Sequence, residues 1–492
     1  MLQALRYPPG MVRVGTEYES IGRWREGNLV RWHEGVLRPV GGWAKKSPSQ
    51  LTGIPRALHS WRQNNFQARL AVGTHTNLYV FTDGSMYDIT PADLAAGKTD
   101  TIYGYGYGAR SYSSSSYGTP RAAGVSLLAT SWTLDNFGEW LVGCQDYDGR
   151  LFVWKNNVTV PAAVVTNAPT NCLGVMVTPE RHLLAIGPGG DRRSVAWSSS
   201  EDTELWTPTA TNSAGGLTLA TSERITAWKR ARELSLLWTE NEIHALVYKE
   251  YPYIYGSQKI ASGCGSPSPH AGVVLEGGVV WMSAEGFHLY DGAVSSIPCT
   301  VHDAIFRNVN RAQLTKVVAG QNRRYNEVWW FYPSASSSEN DQYVIWNYRD
   351  DHWATGTLPR SAWHDAGVYE NPLAMSSDGY LYEHEFGWTN DGTPIGADRW
   401  IRSGPNELGA GDQVMRLNGM IPDRDSSGAT ALKLRTRNYP EDSWSSSDLV
   451  TMTPKMDFRL TGRQIEVEIV GQRDEDWRVG ILRADVLEGG RR

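Results

Sequence analysis

One hairpin pattern recurs along this chain and limits what it can fold into. Trp140 to Trp154 reads Trp-Leu-Val-Gly-Cys-Gln-Asp-Tyr-Asp-Gly-Arg-Leu-Phe-Val-Trp, two apolar, aromatic and β-branched runs on either side of Asp148-Gly149. An Asp-Gly pair supplies the positive φ angles of a type I′ turn, so the stretch predicts two antiparallel strands joined tightly. The unit returns at Leu78–Tyr87 around Asp83-Gly84, at Val280–Tyr290 around Glu285-Gly286 and at Ala374–Tyr382 around Asp378-Gly379. From Gly149 to Gly286 is 137 residues and from Gly286 to Gly379 is 93, which fit three and two steps of roughly 46, a spacing typical of four-stranded propeller blades.

That phase predicts further turns near 195, 240 and 332. Each has a degraded counterpart: Gly189-Gly190-Asp191, Glu240-Asn241, and the Ser-rich run Ser334–Asn340, all flanked by strand-like segments. The expectation is an all-β chain with a β-propeller of about seven blades, within a range of six to eight. Gly84 and Gly149 are 65 residues apart, which calls for an insertion of about 20 residues if the period holds. The tract 99–121 fills that place with Tyr103-Gly-Tyr105-Gly-Tyr107-Gly and a Ser/Tyr run containing Tyr112 and Tyr117. Such a composition cannot bury a core of its own and must lean on another surface. Loops of this length in compact domains are functional or disordered.

The expected organisation is an arm and opening hairpin over 1–45, a propeller over 46–388 carrying the 99–121 insertion, and a C-terminal domain over 389–492. After the linker Thr389–Pro394, strands near 414–420, 431–437, 465–470 and 477–483 alternate apolar with charged residues, the pattern of a small antiparallel sandwich. Short helices are expected at Pro91–Ala96 and Thr300–Leu314. The tryptophans that track the strand phase, Trp197, Trp228, Trp238, Trp281, Trp329, Trp330, Trp346, Trp353 and Trp363 among them, are expected to fill wedges between blades rather than to form a sugar platform.

Chemistry is hard to find. Cys144, Cys172, Cys264 and Cys299 are widely spaced and read as free thiols. His270, His302, His352 and His364 show no ligand spacing, Gly104-x-Gly106-x-Gly108 lacks the strand and helix of a phosphate cradle, and no Gly-x-Ser-x-Gly elbow occurs. The expectation is therefore no enzyme, with no catalytic, cofactor or metal residues. A formal charge of −6 argues against a basic surface that reads nucleic acid but suits a wall that a polyanion slides past. No apolar run reaches the ~18 residues of a spanning helix, and the amino terminus has no signal-peptide layout, so the chain is expected to be made soluble in a cytoplasm.

A resemblance enters at the amino terminus. Gly-Arg-Trp…Asn-Leu-Val-Arg-Trp…Leu-Arg-Pro-Val-Gly-Gly-Trp, carried by Arg23, Trp24, Asn28, Arg31, Gly41, Gly42 and Trp43, resembles the opening segment of tail nozzle, or tail tubular B-like, packaged-DNA stabilisation proteins of short-tailed bacteriophages. The end of the chain, from Trp477 to Gly489-Gly490-Arg491-Arg492, resembles the close of the same proteins. The resemblance implies a structural virion protein, assembled in the host cytoplasm and placed in the virion tail. It implies a homo-oligomeric ring of six copies below the head-to-tail adaptor, contacting that portal-side protein and tail fibres or spikes, touching genome DNA without sequence preference, and gating its ejection. On that reading Tyr103, Tyr105, Tyr107, Tyr112 and Tyr117 are gate candidates, and no cofactor or membrane-spanning segment is expected. The alternative is a carbohydrate-binding or carbohydrate-active propeller, a host-surface adhesin.

Overall fold

The computed structural model describes residues 2–102, 127–232, 234–407, 411, 413–425 and 428–490. Seven four-stranded antiparallel sheets, six of them meanders of sequential strands, form the larger part of the molecule. The first blade uses Pro55–Arg62, Ala68–Thr74, Leu78–Thr82 and Ser85–Asp88; the second starts at Trp132–Phe137, the third at Gly174–Val177, the fourth at Ile225–Arg230, the fifth at Gly272–Leu275 and the sixth at Val318–Asn322. The seventh is composite. Ala362–His364, Leu373–Met375 and Leu381–His384 come from its own stretch, and Trp43–Lys45 from the amino-terminal region supplies the outermost strand. The first strand of each blade packs beside the first strand of the next, and the seventh returns to the first, so the ring is a closed β-propeller.

Aromatic side chains make the seams between blades. The indole N–H of Trp132 donates to the Thr74 carbonyl of the preceding blade at 2.7 Å, Trp228 donates to Val175 at 3.1 Å, and Trp330 donates to Ala271 at 3.0 Å. Buried indoles normally satisfy their one donor, and here the acceptor lies across the seam, so each bond ties two sheets. Trp228 lies so close to Gly174, and Trp363 to Gly320, that a Cβ at either glycine would overlap the ring.

Turn phase follows from strand order. The turns at 149, 189–191, 240–241, 286, 334–340 and 379 all join second to third strands, whereas Asp83-Gly84 joins third to fourth. The equivalent turn of the first blade is Thr74–Asn77, where the Thr74 hydroxyl accepts from the Asn77 amide at 2.8 Å. The step from Gly84 to Gly149 therefore compares unlike turns. Asp83 and Gly84 both have positive φ, 51° and 76°, as a type I′ turn requires. At the second blade only Gly149 does, φ 74°, and the strands end at Gln145 and resume at Leu151. The type I′ expectation for Asp148-Gly149 is thus corrected to a longer loop, held by the Asp148 carboxylate on Arg150 at 2.6 Å. No helix forms at Pro91–Ala96, because Asp93 adopts a left-handed φ of 56° that breaks the turn. Thr300–Leu314 contains one short helix, His302–Phe306, followed by a 3₁₀ segment, Arg311–Lys316.

The second unit is a sandwich of two sheets built from both ends of the chain. One sheet joins Leu2–Leu5, Val30–His33 and Val36–Pro39 to Met415–Arg424, Met456–Gly462 and Val479–Glu488; the other joins Trp24–Asn28 to Trp400–Ser403, Thr430–Arg437 and Gln464–Gly471. The stretch 1–45 is therefore shared out: four strands to the sandwich and one to the seventh blade. One apolar core holds Val467, Ile469, Trp24 and Trp32 of the sandwich together with Trp329, Trp330 and Trp353 of the sixth blade. Among the described residues no helix is long and apolar enough to cross a membrane.

Candidate functional site

Two places concentrate polar groups in an apolar setting: the joint between sandwich and propeller, and the channel on the propeller axis.

At the joint, Arg31 is 1 % exposed and faces two carboxylates from the propeller. Its Nε lies 3.2 Å from Glu327 of the sixth blade and its Nη2 2.5 Å from Glu385, which follows the third strand of the seventh. The guanidinium also covers the Tyr325 ring at 3.9 Å. Glu327 and Glu385 are held from the other side by the Trp329 indole at 2.9 Å and the Asn322 amide at 2.9 Å. Nearby, Asn28 bridges the units, its Nδ2 donating to the Asp398 carbonyl at 3.0 Å and its Oδ1 accepting from the Thr357 amide at 2.8 Å. Trp43 donates to Asn390 at 2.7 Å and stacks on His384 at 5.5 Å. Gly41 abuts Glu385, and a Cβ on Gly42 would come within 2.7 Å of the Trp388–Thr389 backbone, so the chain can pass there only without side chains. Trp24 is buried against Tyr7 at 4.5 Å, and the Arg23 carbonyl accepts from the Gly404 amide at 2.9 Å. All seven residues that carry the family-like pattern thus lie within the sandwich edge and its joint to the propeller.

Burial raises the Glu327 carboxyl to about 7, against the opposing pull of Arg31. A carboxyl whose folded pKa exceeds its unfolded value of about 4.3 favours the fold while protonated, and that contribution fades as pH rises toward the folded value. Glu327→Gln stays neutral throughout. Its stability relative to the parent should therefore be lowest near pH 5 and improve toward pH 8, read from urea midpoints at the two pH values; a relative stability that declines over that window would contradict this.

The second place is the channel, which encloses about 330 Å³ and is lined by the first strands of all seven blades. His59, Asp135, Lys229, His270, His364 and Asp365 contribute its polar groups. His270 is pushed down to about 4 and His364 to about 3 by burial, so both are neutral imidazoles at neutral pH. His270 Nε2 contacts the Trp132 carbonyl at 2.9 Å, His364 Nε2 contacts the Ser60 hydroxyl at 2.6 Å, and His59 pairs with Asn136. Asp365 accepts from the Gln321 amide at 2.5 Å and the Trp363 indole at 3.2 Å. Asp135 accepts from the amides of Val177 and Asn136, both at 2.8 Å.

The feet of the long insertion are tied to the connection between the fifth and sixth blades and to Arg56, which lines the channel. Ile102 and Leu127 pair as an antiparallel bridge. Thr101 exchanges bonds with Gln313 at 3.0 and 3.2 Å. Lys316, 1 % exposed, holds Asp100 at 2.6 Å and Glu339 at 2.7 Å. Arg56 donates to the Thr99 carbonyl at 2.9 Å and pairs with Glu339 at 2.7 Å. The connection between first and second blades thereby reaches segments of the fifth and sixth, on the far side of the ring. Tyr103, Tyr105, Tyr107, Tyr112 and Tyr117 lie outside the described residues. No cluster of three metal-ligating side chains occurs among the described residues.

The channel cluster escapes a linear reading because its members are scattered over five of the seven blades. A signal existed: Lys229 and His364 are 135 residues apart, three steps of about 45, each on a first strand.

No family model matches this chain, and no curated protein does. Solved structures similar to it include virginiamycin B lyase from Staphylococcus aureus, at 7 % identity over 68 % of this chain and 97 % of that one, TM-score 0.43. The Pan2 WD40 domain of Neurospora crassa matches at 9 % identity over 70 % and 95 %, TM-score 0.41. A glycoside hydrolase matches at 8 % identity over 88 % and 99 %, TM-score 0.28. They range from enzymes to a WD40 module, and likeness at such identities concerns the fold alone.

Proposed function

We propose that this chain is a structural subunit of a short-tailed phage tail, a nozzle component that assembles as a ring of six below the head-to-tail adaptor and conducts the genome. The observation that carries the reading is the position of Arg23, Trp24, Asn28, Arg31, Gly41, Gly42 and Trp43: the residues of the family-like segment gather where the terminal sandwich is fused to the propeller, through one apolar core and a buried ion cluster. A subunit that carries load between a platform and an outer domain needs such a rigid joint, and closing a ring satisfies every subunit's contacts at once. The propeller's own bore, about 330 Å³, has no room for a duplex whose major groove alone is about 12 Å wide. On this reading DNA passes down the axis of the ring, between subunits, and the mildly acidic charge of −6 keeps it from sticking.

The test is electron microscopy of the purified full-length chain, alone and with extracts of particles lacking the nozzle. Rings with a central opening wide enough for duplex DNA, able to complete such particles, are expected. A chain that stays monomeric in both settings, or that binds glycans or releases sugar as an isolated monomer, would replace this reading with the adhesin one.

A further inference from the structure

The polar groups of the propeller channel are unevenly satisfied, and the imbalance has a chemical reading. Asp135 and Asp365 each accept two N–H donors from the protein, and burial lifts the Asp365 carboxyl to about 6 in spite of them. Arg56 is occupied by Glu339 and the Thr99 carbonyl. Lys229, on the first strand of the fourth blade, has no hydrogen bond and no carboxylate within ion-pair distance among the described residues, although it lines the same cavity. Burial pulls its ammonium below the ordinary lysine value, and the fields of Asp365 and Asp135 only partly offset that pull. The Lys229 side chain is half-buried, so its ammonium meets water rather than a protein anion, and a compact anion would replace that water with a direct ion pair.

The remaining groups narrow the class of anion. His270 and His364 are neutral and each uses Nε2 on a protein oxygen, which leaves one ring nitrogen apiece. A carboxylate has about four acceptor sites, so Asp135 and Asp365 also keep lone pairs after their two bonds. Arg230 also lines the cavity, with Nη1 donating to the Val177 carbonyl at 3.0 Å. The cavity therefore combines the Lys229 ammonium, and beside it a partly engaged guanidinium, with several free acceptors, within a volume of about 330 Å³ at the lower limit of small-molecule sites.

We infer that the propeller channel is a binding site for a compact organic acid that also carries a hydroxyl or amino donor, its carboxylate on Lys229 and its donor shared among Asp135, Asp365 and the neutral histidines. The feet of the insertion are fixed by Lys316 and by Arg56, which itself lines the cavity. This site does not depend on the ring assembly proposed above.

The test is calorimetric titration of the full-length chain, at fixed ionic strength and neutral pH, with lactate, malate, glycine and serine, and with acetate and chloride as plain anions. Saturable binding of at least one hydroxy or amino acid is expected, with acetate and chloride at least ten-fold weaker. Lys229→Met should lower that affinity at least ten-fold with an unchanged circular dichroism spectrum, and Lys229→Arg should retain part of it. If Lys229→Met does not fold, Lys229→Gln serves for the same comparison. No saturable heat with any of the acids, equal affinity for acetate, or unchanged affinity in the folded variant would each overturn the inference. Rings in electron micrographs bear only on the assembly reading, so the two can fail separately.

Discussion

Replacing Arg31 by methionine should destabilise the chain by about 3–5 kcal/mol at pH 8, the usual cost of removing one partner from a buried ion cluster. Arg31 is the only cation within ion-pair distance of both Glu327 and Glu385 among the described residues, and all three side chains are at most 6 % exposed. Removing the guanidinium leaves two carboxylates in an apolar joint with only the Trp329 indole and the Asn322 amide as donors. Protonation can relieve that situation, since burial and the mutual repulsion of Glu385 already raise Glu327 to about 7. The penalty should therefore shrink as pH is lowered toward 5. Arg31→Lys should recover only part of the loss, because a single ammonium cannot address two carboxylates and lie flat on the Tyr325 ring at once. Urea unfolding followed by tryptophan fluorescence reads all of these. A methionine variant within about 0.5 kcal/mol of the parent, the range of ordinary surface substitutions, would show that the joint does not depend on this cluster.

That joint also explains what could and could not be read from the sequence. Local signals were strong where strand and turn are neighbours: the six turns from Gly149 to Gly379 fall on one phase because each links second to third strands of its blade. Trp132, Trp228 and Trp330 sit at seams because a large ring with one donor fits a wedge whose far wall offers carbonyls. Asp83-Gly84 misled the count because an Asp-Gly turn looks the same whichever pair of strands it joins. Measured from the true equivalent at Thr76, Gly149 is 73 residues away, so about 27 residues exceed a 46-residue step, and that extra length lies in the connection between the first and second blades. Long-range pairings left no local trace. Nothing in Trp43-Ala44-Lys45 announces that its partner is Tyr382–His384, and the alternation in Trp24–Asn28 does not reveal that it pairs with Trp400–Ser403. Arg31 was legible as part of a family-like pattern, but its role needs Glu327 and Glu385, some 300 residues further on. Pro91–Ala96 failed as a helix because capping residues cannot hold six residues against a left-handed Asp93.

The largest effect should come from separating the first 45 residues from the rest. Residues 46–492 expressed alone should fail to give a cooperatively folded protein. The deletion removes Trp43–Lys45, leaving the third strand of the seventh blade, Leu381–His384, as an unpaired edge; such an edge invites aggregation. It also removes Val30–His33, Val36–Pro39 and Leu2–Leu5 from one sheet of the sandwich and Trp24–Asn28 from the other, uncovering Trp329, Trp353, Ile401 and Val479 of the shared core. Burial contributes roughly 25 cal/mol per Å² of apolar surface, and the side chains lost include Met11, Trp24, Val30, Trp32, Leu37, Val40 and Trp43, all buried. Full burial of even a medium apolar side chain is worth about 1.5–3 kcal/mol, so seven of them amount to roughly 10–20 kcal/mol, as much as the whole of the 5–15 kcal/mol by which domains are ordinarily stable. Supplying residues 1–45 as a separate chain during expression should restore a soluble complex, because every contact of the segment is non-covalent and antiparallel pairing needs no connecting peptide at residue 45. Soluble yield and thermal unfolding of 46–492 with and without the co-expressed segment measure this. If 46–492 alone unfolds as sharply as the parent, the ring closes without its borrowed strand, and the amino-terminal segment would then serve assembly between subunits rather than the fold of one.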